Sequence, residues 1–315
     1  MAKRKSLQES LKEISELRRN PFDESNIEKL RQALDDKSNH VVAAVAEIVG
    51  EARMVKLEEA LVEAFDRFMV DPVKLDPGCV AKAAIAEALY RIDAYQEELF
   101  LQGIRHTQLE PAYGGREDTA AKLRVASAMG LVGMGYYGAM VELAHLLADI
   151  ELDARMGAIR AIANSRQDAG IPLLRYKALM GDEDPRVLLE CFKALLAISP
   201  EPSLAFVGGF LEDENVAVCE AAAVALGESQ LEGAFELLKT SLENVLDSGL
   251  RRIEMLAMAM LRDEEAIEFL LTVLAEESQS TAEDALFALE MYRDDRAIWN
   301  RVEKIAATRN DIKLK

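Results

Sequence analysis

Aromatic residues make up only 6% of this 315-residue chain, with a single tryptophan at position 299. Sandwiches and barrels draw on aromatic and β-branched residues in alternating runs, and no such run lies between turn signals here. Cysteine is also scarce. Cys79, Cys191 and Cys219 are odd in number and far apart, so they read as reduced thiols of a cytoplasmic protein. No Cys/His spacing suits a zinc site, and no metal or cofactor is expected. The most apolar stretch, Leu131–Leu147, is interrupted by Gly133, Gly135, Gly138 and Glu142, which excludes a membrane span there. Met1–Ser6 is basic, but LQESLKEISEL follows it and is amphipathic, so no secretory leader is read. Positive charge is short as well: 37 Lys and Arg stand against 56 Asp and Glu, for a net charge of −19. Phosphate backbones and anionic lipid need clustered cations, so neither nucleic acid nor a membrane surface is an expected partner.

What the chain has is a repeat. The signatures DTAAKLRVASAMG, DPRVLLECFKALL, NVAVCEAAAVALG and DSGLRRIEMLAMA start at Asp118, Asp184, Asn215 and Asp247. Aligned on one small or apolar position, eight copies fall at Ile48, Ala88, Ala128, Ala161, Ala194, Ala225, Ala257 and Ala288. Their spacing is 31 to 40 residues. A period of that size means stacked helical hairpins, each burying its apolar side against the next. Half of each unit is the alanine-rich signature helix, whose small residues let helix axes approach closely. The other half is leucine-rich, as in AFELLKTSL (Ala234–Leu242), with apolar residues three and four apart. The expected fold is an all-α superhelix of about eight hairpins.

Three copies pair an acid with a base four residues on: Asp118 with Lys122, Glu151 with Arg155, and Asp247 with Arg251. The acid can cap a helix N-terminus and the base can reach that acid or the next repeat. Other copies lack the pair, so this ladder is read as structural. Residues 1–25 read as an N-terminal capping helix, 26–306 as the solenoid and 307–315 as a frayed tail. Trp299 reads as the core filler of the last helix. Glu201–Ser280 holds 17 acidic against 4 basic residues. Two readings stand for it: a solubilising face, or a docking patch for a basic partner.

The short copies, with an acid or amide ahead of an alanine-rich A-A-x-A-L-G stretch, resemble HEAT-like repeats of the phycobilin-lyase type. The 40-residue copies are closer to ordinary HEAT repeats. That resemblance implies signature helices on a concave surface and leucine-rich helices on a convex one. It also implies a range of roles, from scaffolds to chromophore-lyase subunits and a few enzymes. The HEAT-like di-iron hydroxylation of deoxyhypusine uses His-Glu dyads, whereas His40, His106 and His145 are followed by Val41, Thr107 and Leu146. A bilin-presenting subunit stays open as the alternative to a non-catalytic, monomeric protein-binding scaffold. It would call for basic and aromatic groups on the signature helices, which offer Lys122, Arg155, Arg160, Lys193, Arg251 and Arg252 but few aromatics. No G-x-x-x-x-G-K-[ST] or G-x-S-x-G is present, and no G-x-G-x-x-G stands between a strand and a helix.

The two 40-residue periods owe their length to insertions at one place in the hairpin. MVDPVKLDP (Met69–Pro77) precedes the second signature helix, and HTQLEPAYGGRE (His106–Glu117) the third. Insertions on one edge of a solenoid often form its binding face. The candidate partner-binding residues are Arg105, His106, Glu110, Tyr113, Gly114, Gly115 and Arg116, of which Arg and Tyr are hot-spot types. The structural alternative is a helix end at His106 followed by a solvated turn. A second glycine-rich stretch, LVGMGYYGAM, places Tyr136 and Tyr137 on the opposite edge, where core packing is the expected role.

Overall fold

A computed structural model describes residues 6–314, which form two compact units divided between Ser165 and Arg166. In the first unit the helices are α1 (Leu7–Leu17), α2 (Glu24–Leu34), α3 (Asn39–Glu51), α4 (Glu58–Met69), the short α5 (Pro72–Leu75), α6 (Val80–Arg91) and α7 (Glu97–Ile104). Then come strands β1 (Leu109–Ala112) and β2 (Gly115–Asp118), and helices α8 (Ala121–Gly133), α9 (Ala139–Leu146) and α10 (Leu152–Ser165). The second unit holds α11 (Gly170–Met180), α12 (Pro185–Ile198), α13 (Pro200–Gly208), α14 (Val216–Ser229), α15 (Ala234–Leu242), α16 (Ser248–Met260), α17 (Glu264–Glu276), α18 (Gln279–Leu289) and α19 (Arg296–Ala306).

Each unit is a stack of four hairpins, and each hairpin ends in a signature helix. In the first unit α3, α6, α8 and α10 pack directly on one another, and in the second α12, α14, α16 and α18 do the same. The leucine-rich helices form a second, more loosely associated layer. Small residues make the inner layer possible. All eight aligned positions are buried, from Ile48 to Ala288. At Gly227 a Cβ would lie 2.5 Å from the Ala257 carbonyl oxygen, so α14 approaches α16 at glycine-only distance.

Local chemistry fixes the helix ends. Ser6 and Glu9 form a reciprocal capping box on α1. Asp23, Asp184, Asn215, Asp247, Asp263 and Asp295 cap α2, α12, α14, α16, α17 and α19 through their side-chain oxygens. Two readings of the C-terminal region change. Trp299 is half-buried rather than a core filler, lying against the Arg293 guanidinium at 5.3 Å, while Val302 and Ala306 supply the buried side of α19. Beyond Ala306 the chain is tied down rather than frayed. Arg309 Nη1 donates to the carbonyls of Leu274 and Glu277, both at 2.8 Å, and Ile312 is buried.

Candidate functional site: the inserted edge of the first unit

The two insertions fold differently, and neither is a plain loop. Met69–Pro77 contributes α5 and then buries Asp76 completely. His106–Glu117 forms a two-stranded antiparallel hairpin with Leu109 opposite Asp118 and Ala112 opposite Gly115. Tyr113 and Gly114 make the turn, and Gly114 takes a positive φ (91°), which glycine adopts without steric cost. Strands were not expected here. The segment has no apolar alternation because polar side chains hold it to the helices.

Asp76 is the centre of that attachment. Its Oδ1 accepts from Asn39 Nδ2 (3.0 Å) and the Ala81 amide (2.9 Å), and its Oδ2 from the Lys82 amide and Nζ (both 3.0 Å). One carboxylate therefore caps α6, reaches back to α3 and neutralises a lysine with no solvent exposure. Gln108 Nε2 joins the hairpin to this group by donating to the Asp76 carbonyl (2.8 Å) and to Glu110 Oε1 (2.6 Å). Glu110 Oε1 also accepts from the Gly78 amide and Thr119 Oγ1, each at 2.7 Å. Burial works against its charge, but these hydrogen bonds outweigh burial and hold its carboxyl below the usual range.

Asp118 repeats the pattern one hairpin later. Its Oδ1 accepts from the amides of Gln108 (2.9 Å) and Ala120 (3.0 Å), and its Oδ2 from Arg124 Nη1 (2.7 Å). Burial opposes its charge too, and the amides and Arg124 again keep the carboxyl below its ordinary value. The base engaged is Arg124, not Lys122, which is exposed. Asp118 closes β2 ahead of α8, so the four-residue rule of a helix surface does not apply to it. Arg124 also donates to the His106 carbonyl and grips Asp149 with Nη2 at 3.0 Å and Nε at 2.8 Å. Asp149 in turn accepts from the Glu151 amide, and Arg155 Nη1 donates to the Asp149 and Ile150 carbonyls. Two buried acid–base pairs here are six apart, Asp76 with Lys82 and Asp118 with Arg124, and at the same interval Arg155 reaches the Asp149 main-chain carbonyl. In the second unit Asp247 caps α16, and Arg251 reaches Asp284 on the following signature helix at 2.7 Å.

The candidate partner-binding residues separate into a base and a tip. His106 and Glu110 belong to the base; burial lowers the basicity of His106, whose Nε2 lies 3.3 Å from Gln108 Oε1. Arg105 caps α7 and forms a bidentate pair with Glu142 on α9, which raises its basicity and depresses that of Glu142. Arg105 lines two grooves, of about 580 and 370 Å³. Met69, Leu101 and His106 line the first; Arg124, Glu142 and Asp149 line the second. Tyr113, Gly114, Gly115 and Arg116 form the tip, which is exposed, and nothing approaches the two glycines within 4 Å of an added Cβ.

Asn39, Asp76, Lys82, Gln108, Arg124 and Asp149 complete the site. The recurring D-x5-[KR] spacing is the sequence signal that carries two of the pairs. Cys79 sits within the cluster at φ 53°, and burial pushes its thiol up to about 12 despite the pull of Lys82. Gly133, Gly135 and Gly138 have G-x-G-x-x-G spacing, but they join helices α8 and α9 with no preceding strand. Among the described residues no three His, Cys, Asp or Glu side chains gather to hold a metal ion. No described helix is long and apolar enough to cross a membrane.

Stacked hairpins with close-packed signature helices define the class: the chain is an all-α, HEAT-like repeat solenoid. Solved structures with similarity to this chain include the following. Escherichia coli YibA is 16% identical over 92% of this chain and 99% of its own, with a TM-score of 0.50. The CpcE–CpcF complex of phycocyanin lyase from Nostoc sp. PCC7120 is 18% identical (79% and 94% covered, TM-score 0.39). Human deoxyhypusine hydroxylase in complex with glycerol is 17% identical (92% of each chain, TM-score 0.32). No family model and no curated protein matches the chain. At 16% identity the likeness to YibA is one of fold.

Proposed function

We propose that this protein is a non-catalytic HEAT-like scaffold that binds another protein through the inserted edge of its first unit. The observation that carries the reading is the division of the β1–β2 hairpin. Its base is locked by Asp76, Glu110, Asp118 and Arg124, while Tyr113 at the tip is fully exposed. A recognition element held on a rigid foundation binds with little ordering cost. Val70, Val73 and Leu109 add exposed apolar surface to the same two insertions. The scaffold reading is favoured over bilin presentation by where exposed tyrosines sit in this unit. Tyr95, Tyr113 and Tyr137 lie in turns rather than on the stacked signature helices.

The test is affinity capture from source-cell lysate with the wild type beside a Tyr113→Ala, Arg116→Ala variant, with melting temperatures measured in parallel. A partner retained by the wild type and lost by the equally stable variant is expected, since hot-spot truncations cost about 1–3 kcal/mol. Equal capture by both would remove the tip from the interface. A variant that melts early while still binding would make the hairpin structural.

A further inference from the structure

The opposite edge of the first unit carries a second regularity. Signature helices α3, α6 and α8 each end in a residue of positive φ: Arg53 (51°), Asp93 (57°) and Gly135 (70°). Such a residue stops the helix and reverses the chain. Two positions later stand Val55, Tyr95 and Tyr137, which are 58%, 72% and 102% exposed. Tyr137 is thus no core residue; the left-handed turn aims it outward. In the second unit the residues two positions after Arg166, Gln230 and Arg262, which share the positive φ, are Asp168, Glu232 and Glu264. The turn therefore has no need of an apolar side chain at this position, yet three successive loops expose one.

The spacing of these loops is set by the helices that launch them. α3, α6 and α8 stack directly, and packed helix axes lie about 8–10 Å apart, an interval their loops inherit. The first two are braced: Arg53 Nη1 lies 3.6 Å from Asp93 Oδ2, and Gln96 Nε2 donates to Glu58 Oε1 at 2.8 Å. Between them runs a groove of about 520 Å³ whose walls include Val55, Gln96, Lys56, Glu59 and Glu63. With Glu58 it holds three carboxylates against one ammonium.

An extended ligand that touches every loop alike must repeat at that interval. A β-strand presents one face every ~6.6 Å, and an α-helix every ~5.4 Å or, over two turns, ~10.5 Å, so both fall outside that interval. A polyproline II helix repeats every three residues, or about 9.3 Å. Its prolines stack on aromatic rings, and it enters the interface already ordered. We propose that the Val55–Tyr95–Tyr137 edge binds a basic, proline-rich segment of another protein in the polyproline II conformation. The tyrosine rings receive prolines, and Glu59 and Glu63 receive a cation where the segment passes between the Val55 and Tyr95 loops. This surface lies at the far ends of the signature helices from the β1–β2 hairpin, so it stands independently of the function proposed above.

The test uses a fluorescein-labelled peptide of five Arg-Pro-Pro repeats, titrated against the full chain by anisotropy. A peptide of five Arg-Gly-Ser repeats matches it in length and charge. The expected result is at least tenfold tighter binding of the proline peptide, with a tenfold or greater loss in a Tyr95→Ala, Tyr137→Ala variant of unchanged melting temperature. Glu59→Gln with Glu63→Gln should also weaken binding and flatten its salt dependence. If the double tyrosine variant does not fold, Tyr137→Ala alone, at a fully exposed ring, serves instead. Equal affinity for the two peptides, no binding of the proline peptide, or binding untouched by the tyrosine substitutions would overturn the proposal.

Discussion

Glu254 is a carboxyl group that folding forces into an unfavourable place, and its removal should stabilise the second unit above neutral pH. It lies on α16 with no solvent exposure. Its Oε1 accepts one hydrogen bond, from Ser241 Oγ at 2.6 Å, and its Oε2 has no partner. Cys219 on α14 is the titratable neighbour that feels its charge. Burial pushes the carboxyl from 4.5 up to about 7, with the Ser241 hydrogen bond only partly opposing it. Because the folded state holds this proton more tightly than the unfolded chain, its contribution is complete below pH ~4.5. It is lost as pH rises to about 7, and the loss then levels off. A shift of this size corresponds to about 3 kcal/mol. Glu254→Gln keeps the shape and the Ser241 hydrogen bond but removes the titration. Urea unfolding followed by Trp299 fluorescence, which reports on the same unit, should give the variant and the wild type similar stability near pH 4.5. At pH 8 the variant should be more stable by about 3 kcal/mol. Stability curves that stay parallel from pH 4.5 to 8 would refute the reasoning, because they would mean that water or a cation reaches the buried oxygen.

Two further substitutions probe the packing and the polar ladder. Arg124→Met leaves Asp118 and Asp149 without their shared cation, and breaking a buried pair from one side should destabilise the first unit by about 3–5 kcal/mol in chemical denaturation; a loss under 1 kcal/mol would show that solvent replaces the guanidinium. Gly227→Ala would press a methyl group to 2.7 Å from the Ala257 Cα, and thermal melting should register about 1–3 kcal/mol of lost stability. An unchanged melting temperature there would mean that α14 and α16 can separate freely.

The repeat was legible because it rests on apolar and small residues, whose periodicity is written directly in the chain. Ala128, Ala161 and Ala225 fall where signature helices touch, and the capping residues Ser6, Asp184 and Asn215 mark the helix starts. The inserted edge was legible as a place but not as a structure. Its hairpin is pinned by Gln108, Glu110 and Thr119, three polar residues that look solvated to any reading of hydrophobic pattern. Pro111 within β1 further disguises the strand. The ion ladder was sought at a spacing of four, which suits residues on one helix. Asp76 and Asp118 precede their helices, so the spacing that brings acid and base together there is six. The outward tyrosine at 137 was hidden for a related reason: the sign of φ at Gly135, not the composition of the turn, decides which way it points.

The hairpin has a consequence for how such a protein could change over time. The hydrogen bonds that tie it to the helices run through Gln108, Glu110, Asp118 and Thr119, and residues 111–117 are exposed. Mutation at the tip is therefore uncoupled from folding: substitutions or short extensions there alter what is displayed and leave the display stand intact. Lineages carrying this fold could exchange one partner for another at that turn without passing through an unstable intermediate, and the same turn is a natural place to graft a foreign sequence.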